Sequence, residues 1–395
     1  MEKEKLVLAY SGGLDTTFCA VYLNRDYEVH SALVNTGGFD EEELKAIEKR
    51  AYKLGVKKHV TLDETENYYQ KIVKYLIFGN VLKNNTYPLS VSSERVVQAI
   101  ALINYAKQIG AKYIAHGSTG AGNDQIRFDM IFQILAPDIE IITPVRDLQL
   151  TREQEIEYLL KHGVNESFEK SVYSYNKGLW GTSVGGKETL TSGQALPEEA
   201  FPSQLTATEP TEVKILFRQG EPVGLNGKEM DPVEVIRALE KIASAYAVGR
   251  DYHTGDTIIG MKGRIGFEAA AASILIKAHH VLEKHTLSKW QLQLKEQITP
   301  VYTMLLHEGH YLDPVMRDIE AFYESSQRTV NGEVSVALYP YRFTVQGITS
   351  ENDLMNSRFG DYGEVNKLYT AEDVKGFTTI ISNASKIYYQ VNKDD

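Results

Sequence analysis

Among 395 residues there is a single cysteine, Cys19. That excludes an internal disulfide framework and any CxxC metal or redox site, and it fits a reducing compartment. Positive charge is also short: 42 Lys and Arg face 53 Asp and Glu, a net charge of −11. A general nucleic-acid binder carries a basic footprint, so that class is set aside. Long apolar runs are missing as well. No stretch approaches the ~18 consecutive apolar residues of a membrane span. The opening run at residues 6–10 is too short for the h-region of a secretory leader. A soluble, cytoplasmic protein is expected. What is present is ordinary globular stock, 43% hydrophobic and 24% charged, in a chain long enough to bury a large core as two domains.

Strand-like and helix-like segments alternate up to residue 165. Short runs with β-branched residues lie at 6–10, 28–34, 59–62, 113–116 and 140–143. Between them apolar residues recur at three- and four-residue spacing, most clearly at 44–54 and 96–109. The alternation predicts βαβ units, an α/β fold with a parallel sheet, and ligands beyond the carboxyl ends of its strands. From 168 to 204 the pattern dissolves into Gly, Ser, Thr and Pro, a stretch too long for a simple connection and therefore functional or mobile. Beyond it the spacing predicts a strand at 213–217 and helices at 232–247, 267–283, 287–306 and 314–328, the first entered by Asp231-Pro232. Strands follow at 334–338 and 342–345, and the acidic tail from 388 is either a helix or a frayed end. Helices and strands that do not alternate regularly indicate a second, α+β domain.

The sharpest motif is Ser11-Gly12-Gly13-Leu14-Asp15-Thr16-Thr17, set between the first strand and a helical stretch. A strand, a glycine-rich turn and a helix N-terminus together make an anion site: backbone N–H groups point outward, and the glycines admit phosphate oxygens closely. A second glycine-rich loop, His116-Gly117-Ser118-Thr119-Gly120-Ala121-Gly122-Asn123-Asp124-Gln125-Ile126-Arg127-Phe128, follows the strand at 113–116. It places an amide, a carboxylate and a guanidinium within five residues. A third segment, Tyr87-Pro88-Leu89-Ser90-Val91-Ser92-Ser93-Glu94-Arg95, reads as a loop entering a helix with Ser92 or Ser93 as N-cap. A fourth runs from Tyr173 through Ser174, Asn176, Gly178 and Trp180 to Ser183.

The stretch Ala9-Tyr10-Ser11-Gly12-Gly13-Leu14-Asp15-Thr16 resembles the PP-loop of the N-type ATP pyrophosphatases, and in this form the argininosuccinate synthase family. The second loop resembles the same family almost residue for residue. The resemblance spans the chain. It implies a PP-loop nucleotide-binding domain over 1–165, an α+β synthetase domain over 166–365 and a C-terminal tail, 366–395, used in oligomer contacts. It also implies a ligase that joins citrulline to aspartate with ATP and Mg²⁺ through a citrullyl-adenylate, working as a cytoplasmic homotetramer with no nucleic-acid or membrane partner. Ala9, Tyr10, Ser11, Gly12, Gly13, Leu14, Asp15, Thr16, Thr17, Val34 and Gly117 would then hold ATP. Thr119, Asn123 and Asp124 would hold aspartate; Tyr87, Ser92, Asn123, Arg127, Ser174 and Ser183 would contact citrulline. Asp15, Asp124 and Arg127 are the expected catalytic groups, and no protein metal ligand is expected. Two alternatives stay open: a different PP-loop enzyme, although a tRNA-thiolating type commonly works through paired cysteines, and a non-catalytic nucleotide-binding protein.

Departures from the family pattern cluster where the amino-acid end of citrulline should sit. Val91 loses a hydroxyl, a substrate-facing Glu falls on Gly255, a Tyr falls on Phe267, and Asn176 and Gly178 replace Asp and Asn. A carboxylate facing an α-ammonium is worth about 1.5–3 kcal/mol. Either Asp256 supplies it instead, or the substrate is a citrulline acylated on its α-nitrogen, with room gained at Gly255. Other patterns carry less. Residues 181–187 imitate a Walker A loop but continue with Glu188, and His307-Glu308-Gly309-His310 has the wrong spacing for a zinc helix. His279 and His280 are expected in structural or surface positions, Trp180 and Trp290 in packing, and Cys19 in the interior.

Overall fold

The structure, a computed structural model, describes residues 3–165, 173–356 and 368–393. Its strands are β1 (Lys5–Ala9), β2 (Glu28–Asn35), β3 (Lys58–Asp63), β4 (Tyr113–Ala115), β5 (Glu140–Ile142), β6 (Ser174–Gly178) and β7 (Gly181–Gly185). Then come β8 (Thr211–Arg218), β9 (Glu221–Leu225), β10 (Lys228–Glu229), β11 (Arg250–Asp256), β12 (Lys262–Glu268), β13 (Gly332–Tyr339) and β14 (Arg342–Thr349). The first five form a parallel sheet in the order β3-β2-β1-β4-β5. In β1, Leu6, Val7 and Leu8 are all fully buried. Val7 joins one apolar cluster, with Val96 and Ile103 of helix Glu94–Ile109; Leu6 and Leu8 join another, with Phe18 and Leu159. This is the period-two pattern of a strand covered on both faces.

Chain order runs outward from β1 to β3 and then crosses back to β4 and β5. The switch point lies between β1 and β4, so the loops after these two strands open side by side. Helix entries are marked in the sequence by capping boxes, Asp40 with Glu43 before Glu41–Lys53 and Thr151 with Gln154 before Arg152–Lys161.

Two antiparallel sheets follow, β10-β9-β8-β13-β14 and β11-β12-β7-β6. The second corrects the expectation of an irregular stretch at 168–204, of which residues 168–172 lie outside the described residues. Its Gly- and Ser-rich strands carry little apolar alternation, and their order comes from pairing: β12 runs beside β7, and β7 beside β6. The expected helix at 267–283 begins later, as Ala270–Thr286. Phe267 belongs to β12, opposite Asp251 of β11; the helix-favouring alanines that follow it blur this boundary in sequence. β9 to β12 and the helical stretch Thr65–Tyr68, Tyr69–Val73 and Lys74–Phe78 carried no clear signal.

The Walker-like residues are β7 itself and the turn after it. His279 is buried between Asn80 and Gln327, and Trp180 is buried, but Trp290 is 70% exposed and packs no core. The C-terminal helices Ala371–Ile381 and Asn383–Val391 bury no residue of their own. Among the described residues no helix is long and apolar enough to cross a membrane.

Candidate active site

The first loop leaves β1 at Ala9, turns at Gly12 and enters helix Leu14–Leu23 with Gly13 as N-cap. Gly12 has φ +78°, a left-handed conformation that glycine adopts freely. Gly13 brings no capping side chain, so the first-turn amides remain available to an anion. The Ser11 and Thr16 hydroxyls lie 3.4 Å apart, and Arg50 Nη1 donates to the Gly12 carbonyl at 2.5 Å. Tyr10 is tied to the sheet by its N–H, which donates to Ala32 O at 2.9 Å, and Val34 sits near the end of β2. Thr17 and Cys19 are buried below the loop. Burial pushes the Cys19 thiol well above its usual range, and Glu155 and Asp15 add to it.

Asp15 turns its carboxyl toward Glu155. Burial raises both groups, and the Asp15 charge adds to burial at Glu155, which is pushed up to about 8. The pair therefore retains a proton at neutral pH, and the loop meets a ligand without two full negative charges behind it.

Gly117 brings the second loop against the first: a Cβ there would lie 3.1 Å from the Asp15 carbonyl carbon. The loop is braced from behind. His116 donates through Nε2 to Asp129 at 2.9 Å and accepts the Ser118 N–H at Nδ1 at 3.2 Å. Gln125 donates to the carbonyls of Gly120 and Gly122, and Thr119 stays exposed at the tip. Asp124 opens helix Asp124–Leu135 and accepts from Arg95 Nε at 2.9 Å and Arg127 Nη1 at 2.7 Å. Burial would raise this carboxyl, but the two guanidiniums outweigh burial and hold it at about 2. Arg127 also donates from Nε to His307 O at 2.8 Å. Asn123 accepts the Ile258 N–H at 2.9 Å, which ties the loop to the β11–β12 turn.

The segment before helix Glu94–Ile109 is strained. Asn84, Asn85 and Leu89 have φ of 52°, 58° and 59°, a state that persists where the surroundings over-determine it. Here the Trp180 indole donates to Pro88 O at 3.1 Å, Tyr68 and Ser93 share a hydrogen bond of 2.7 Å, and Tyr87 Oη accepts the Val91 N–H at 3.1 Å. Ser93 does not act as the expected cap. Its backbone is already helical and its hydroxyl donates back to Leu89 O. The Ser92 hydroxyl lies 3.4 Å from His307 Nδ1.

One face of the β11-β12-β7-β6 sheet looks onto this segment. Asn176, Ser183 and Phe267 are neighbours in register across β6, β7 and β12. Ser174 pairs with Gly185 and so lies diagonal to Ser183 on the same face; the nine-residue spacing is that of a hairpin diagonal. Asn176 Oδ1 accepts Arg95 Nη2 at 3.2 Å, joining the sheet to Asp124. A Cβ at Gly178 would lie 1.4 Å from Glu94 Oε1, so the glycine makes room for a buried carboxyl. Burial raises Glu94 to about 8 against the pull of Arg95, and Oε2 accepts the Thr36 hydroxyl at 2.9 Å.

The room expected at Gly255 is already taken. A Cβ there would meet His253 Nε2 at 2.9 Å and Asn84 Nδ2 at 3.4 Å. Asp256 does not replace a carboxylate in the cleft; it is exposed and paired with Lys262 at 2.7 Å. Tyr87 packs between Phe267, 5.3 Å between ring centroids, and His253, stacked at 5.1 Å. His307 stands edge-on to His253 at 6.2 Å. Burial, with Lys83 nearby, brings His253 down to about 4; burial, Arg127 and Lys83 bring His307 down to about 2. Both rings are neutral at pH 7.

The second loop, Tyr87, Ser92, Ser183 and Arg127 thus surround one cleft. Arg95, His253 and His307 belong to it without having been named as site residues, and Asn176, noted only as a departure from the family pattern, belongs to it as well. His307 sat inside the weak zinc-like motif; among the described residues no group of three His, Cys, Asp or Glu side chains could hold a metal ion. His253 had no signal at all.

Family models describe both halves of the chain: the arginosuccinate synthase N-terminal HUP domain matches residues 5–165 and the arginosuccinate synthase C-terminal domain matches residues 149–388. Curated relatives named argininosuccinate synthase align along the whole length. The protein of Xanthomonas campestris is 37% identical over 100% of both chains. That of Dictyoglomus turgidum is 36% identical over 98% of each, and that of Methanocaldococcus jannaschii 38% over 91% of each. With the switch-point loops in place and both domains matched, the chain belongs to the argininosuccinate synthase family.

Proposed function

We propose that the chain is a ligase that condenses citrulline with aspartate using ATP, giving argininosuccinate, AMP and pyrophosphate. The observation that carries this reading is the pairing of an uncapped anion loop after β1 with the Asp124–Arg127 loop after β4, in contact at Gly117 across the switch point.

A ureido oxygen is a poor leaving group. In the first step it attacks the α-phosphorus of ATP and pyrophosphate departs. In the second the aspartate amine attacks the ureido carbon, and AMP departs with the former ureido oxygen. The amides of the first loop, with Ser11 and Thr16, hold the leaving phosphates. Asp15 acts as a positioning residue beneath them, through its backbone contact with Gly117. Thr119, Asn123 and Asp124 hold aspartate. Arg127, aimed by Asp124 and His307 O, reaches the ureido substrate along with Tyr87, Ser92, Ser174 and Ser183. Much of the rate comes from holding two substrates against one adenylate. Mg²⁺ comes with the triphosphate, whose charge it offsets.

The C-terminal helices expose Phe377, Ile380, Tyr389 and Val391, an unusually apolar surface for a helix pair without a partner. We assign them to contacts between copies in a homotetramer, in the cytoplasm. Purified protein should form AMP and pyrophosphate one for one only with ATP, aspartate and a citrulline-type substrate together. ADP formation, or pyrophosphate release that ignores aspartate and the ureido compound, would count against the reading.

A further inference from the structure

One wall of the cleft is lined by the imidazoles of His253 and His307, where a free amino acid would want a carboxylate. His253 is only 7% exposed. It is fixed by its stack on Tyr87, and its Nε2 occupies the space above Gly255. Its Nδ1 is buried with no hydrogen-bond partner among the described residues. The second imidazole, His307, is already engaged by Arg127 and Ser92. Two nearby acids are committed as well, Asp124 to Arg95 and Arg127 and Asp256 to Lys262, while Glu308 acts on Lys83 through its charge alone.

A free α-ammonium brings a full positive charge and three donors. Against this wall it would lose its water and gain no countercharge. An α-amide is neutral. It offers one N–H donor and one carbonyl acceptor, and an imidazole nitrogen can serve either according to its tautomer. A buried polar nitrogen without a partner is costly, and a flip of the ring within its stack on Tyr87 would turn it to an acylated substrate and give it one.

We propose that His253 is a specificity-determining residue and that the ureido substrate it selects is a citrulline acylated on its α-nitrogen, the amide hydrogen-bonded to the His253 imidazole. The proposal rests on the reading of this cleft as the citrulline site. Lys83, paired through its backbone with Tyr87, sets a cation on the same wall, so an acyl chain ending in a carboxylate is favoured over a neutral one.

The test is the kcat/KM for pyrophosphate release with ATP, Mg²⁺ and aspartate, comparing citrulline, N-acetylcitrulline and N-succinylcitrulline on the full-length protein. The wild type should prefer an acyl form over free citrulline by about 100-fold or more, with the succinyl form ahead. His253→Ala should cut that preference about tenfold, through the KM of the acyl substrate. His253→Gln, which keeps a donor and an acceptor, should restore most of it. Free citrulline winning in the wild type overturns the proposal and leaves the ligase reading intact; that comparison needs no variant to fold. An equal loss on all three substrates in His253→Ala also overturns it, as a purely structural role would. If none of the three drives pyrophosphate release, the citrulline reading itself fails and takes this inference with it.

Discussion

The two ends of the cleft are built differently. The loop end, proposed above for nucleotide and aspartate, is made of contiguous chain: residues 9–17 and 116–127 each leave a buried strand, turn on glycine and enter a helix. The end proposed for the ureido substrate is assembled from segments far apart in sequence, with Tyr87 and Ser92, Ser174 to Ser183, His253 to Phe267, and His307 meeting only in the fold. At the nucleotide end polar groups are offered outward from the backbone. At the ureido end buried carboxyl and imidazole groups are held neutral, Glu94 by burial near pH 8 and His253 and His307 well below pH 7. A backbone cradle is insensitive to side-chain change and stays recognisable. A pocket of side chains can be rebuilt, and the departures read in the sequence at Gly255 and Phe267 lie here.

The largest expected effect is at the hinge between the two ends. Arg127→Met removes the donor to Asp124 and to the His307 carbonyl, and pyrophosphate release should fall by about 10³-fold with little change in the KM for ATP. A change confined to the KM for ATP would assign Arg127 to the nucleotide end instead. Next is Gly117→Ala. Its Cβ would sit 3.1 Å from Asp15 backbone and force the loops apart, so kcat/KM for ATP should drop by about 10- to 100-fold while the fold is kept. Wild-type kinetics would mean that the two loops work independently. The smallest effect is on stability. Glu94 binds its proton more tightly in the folded protein, at about 8, than unfolded. Its contribution is therefore fully present below the ordinary carboxyl range and is lost as pH rises through about 8. Glu94→Gln should leave the melting temperature near pH 5 almost unchanged and raise it at pH 8.5 by about 3 °C. Equal curves at both pH values would show that Glu94 is ionised in the fold.

The same contrast explains what could be seen in the sequence. The parallel sheet was legible because β1 and β2 carry β-branched residues and are buried on both faces, and because capping boxes mark the helices Glu41–Lys53 after β2 and Arg152–Lys161 after β5. Serines 174 and 183 were legible as a spacing but not as a hairpin, because β6 and β7 carry glycine and polar residues and gain their order from β12. Phe267 was placed in a helix because alanines follow it; cross-strand pairing with Asp251, a long-range fact, keeps it in β12. His253 was invisible for the same reason. Its role comes from Tyr87, 166 positions away by number, and from the absence of a side chain at Gly255. Gly255 was legible as a departure from the family pattern, while the imidazole beside it was not.

The central claim is that the two loops join one adenylyl transfer to one condensation. The most direct test follows the ureido oxygen. With ATP, aspartate and a substrate carrying ¹⁸O in the ureido group, mass spectrometry of the products should find one ¹⁸O in AMP and none in pyrophosphate. Unlabelled AMP, or ADP and phosphate in place of AMP and pyrophosphate, would contradict the account.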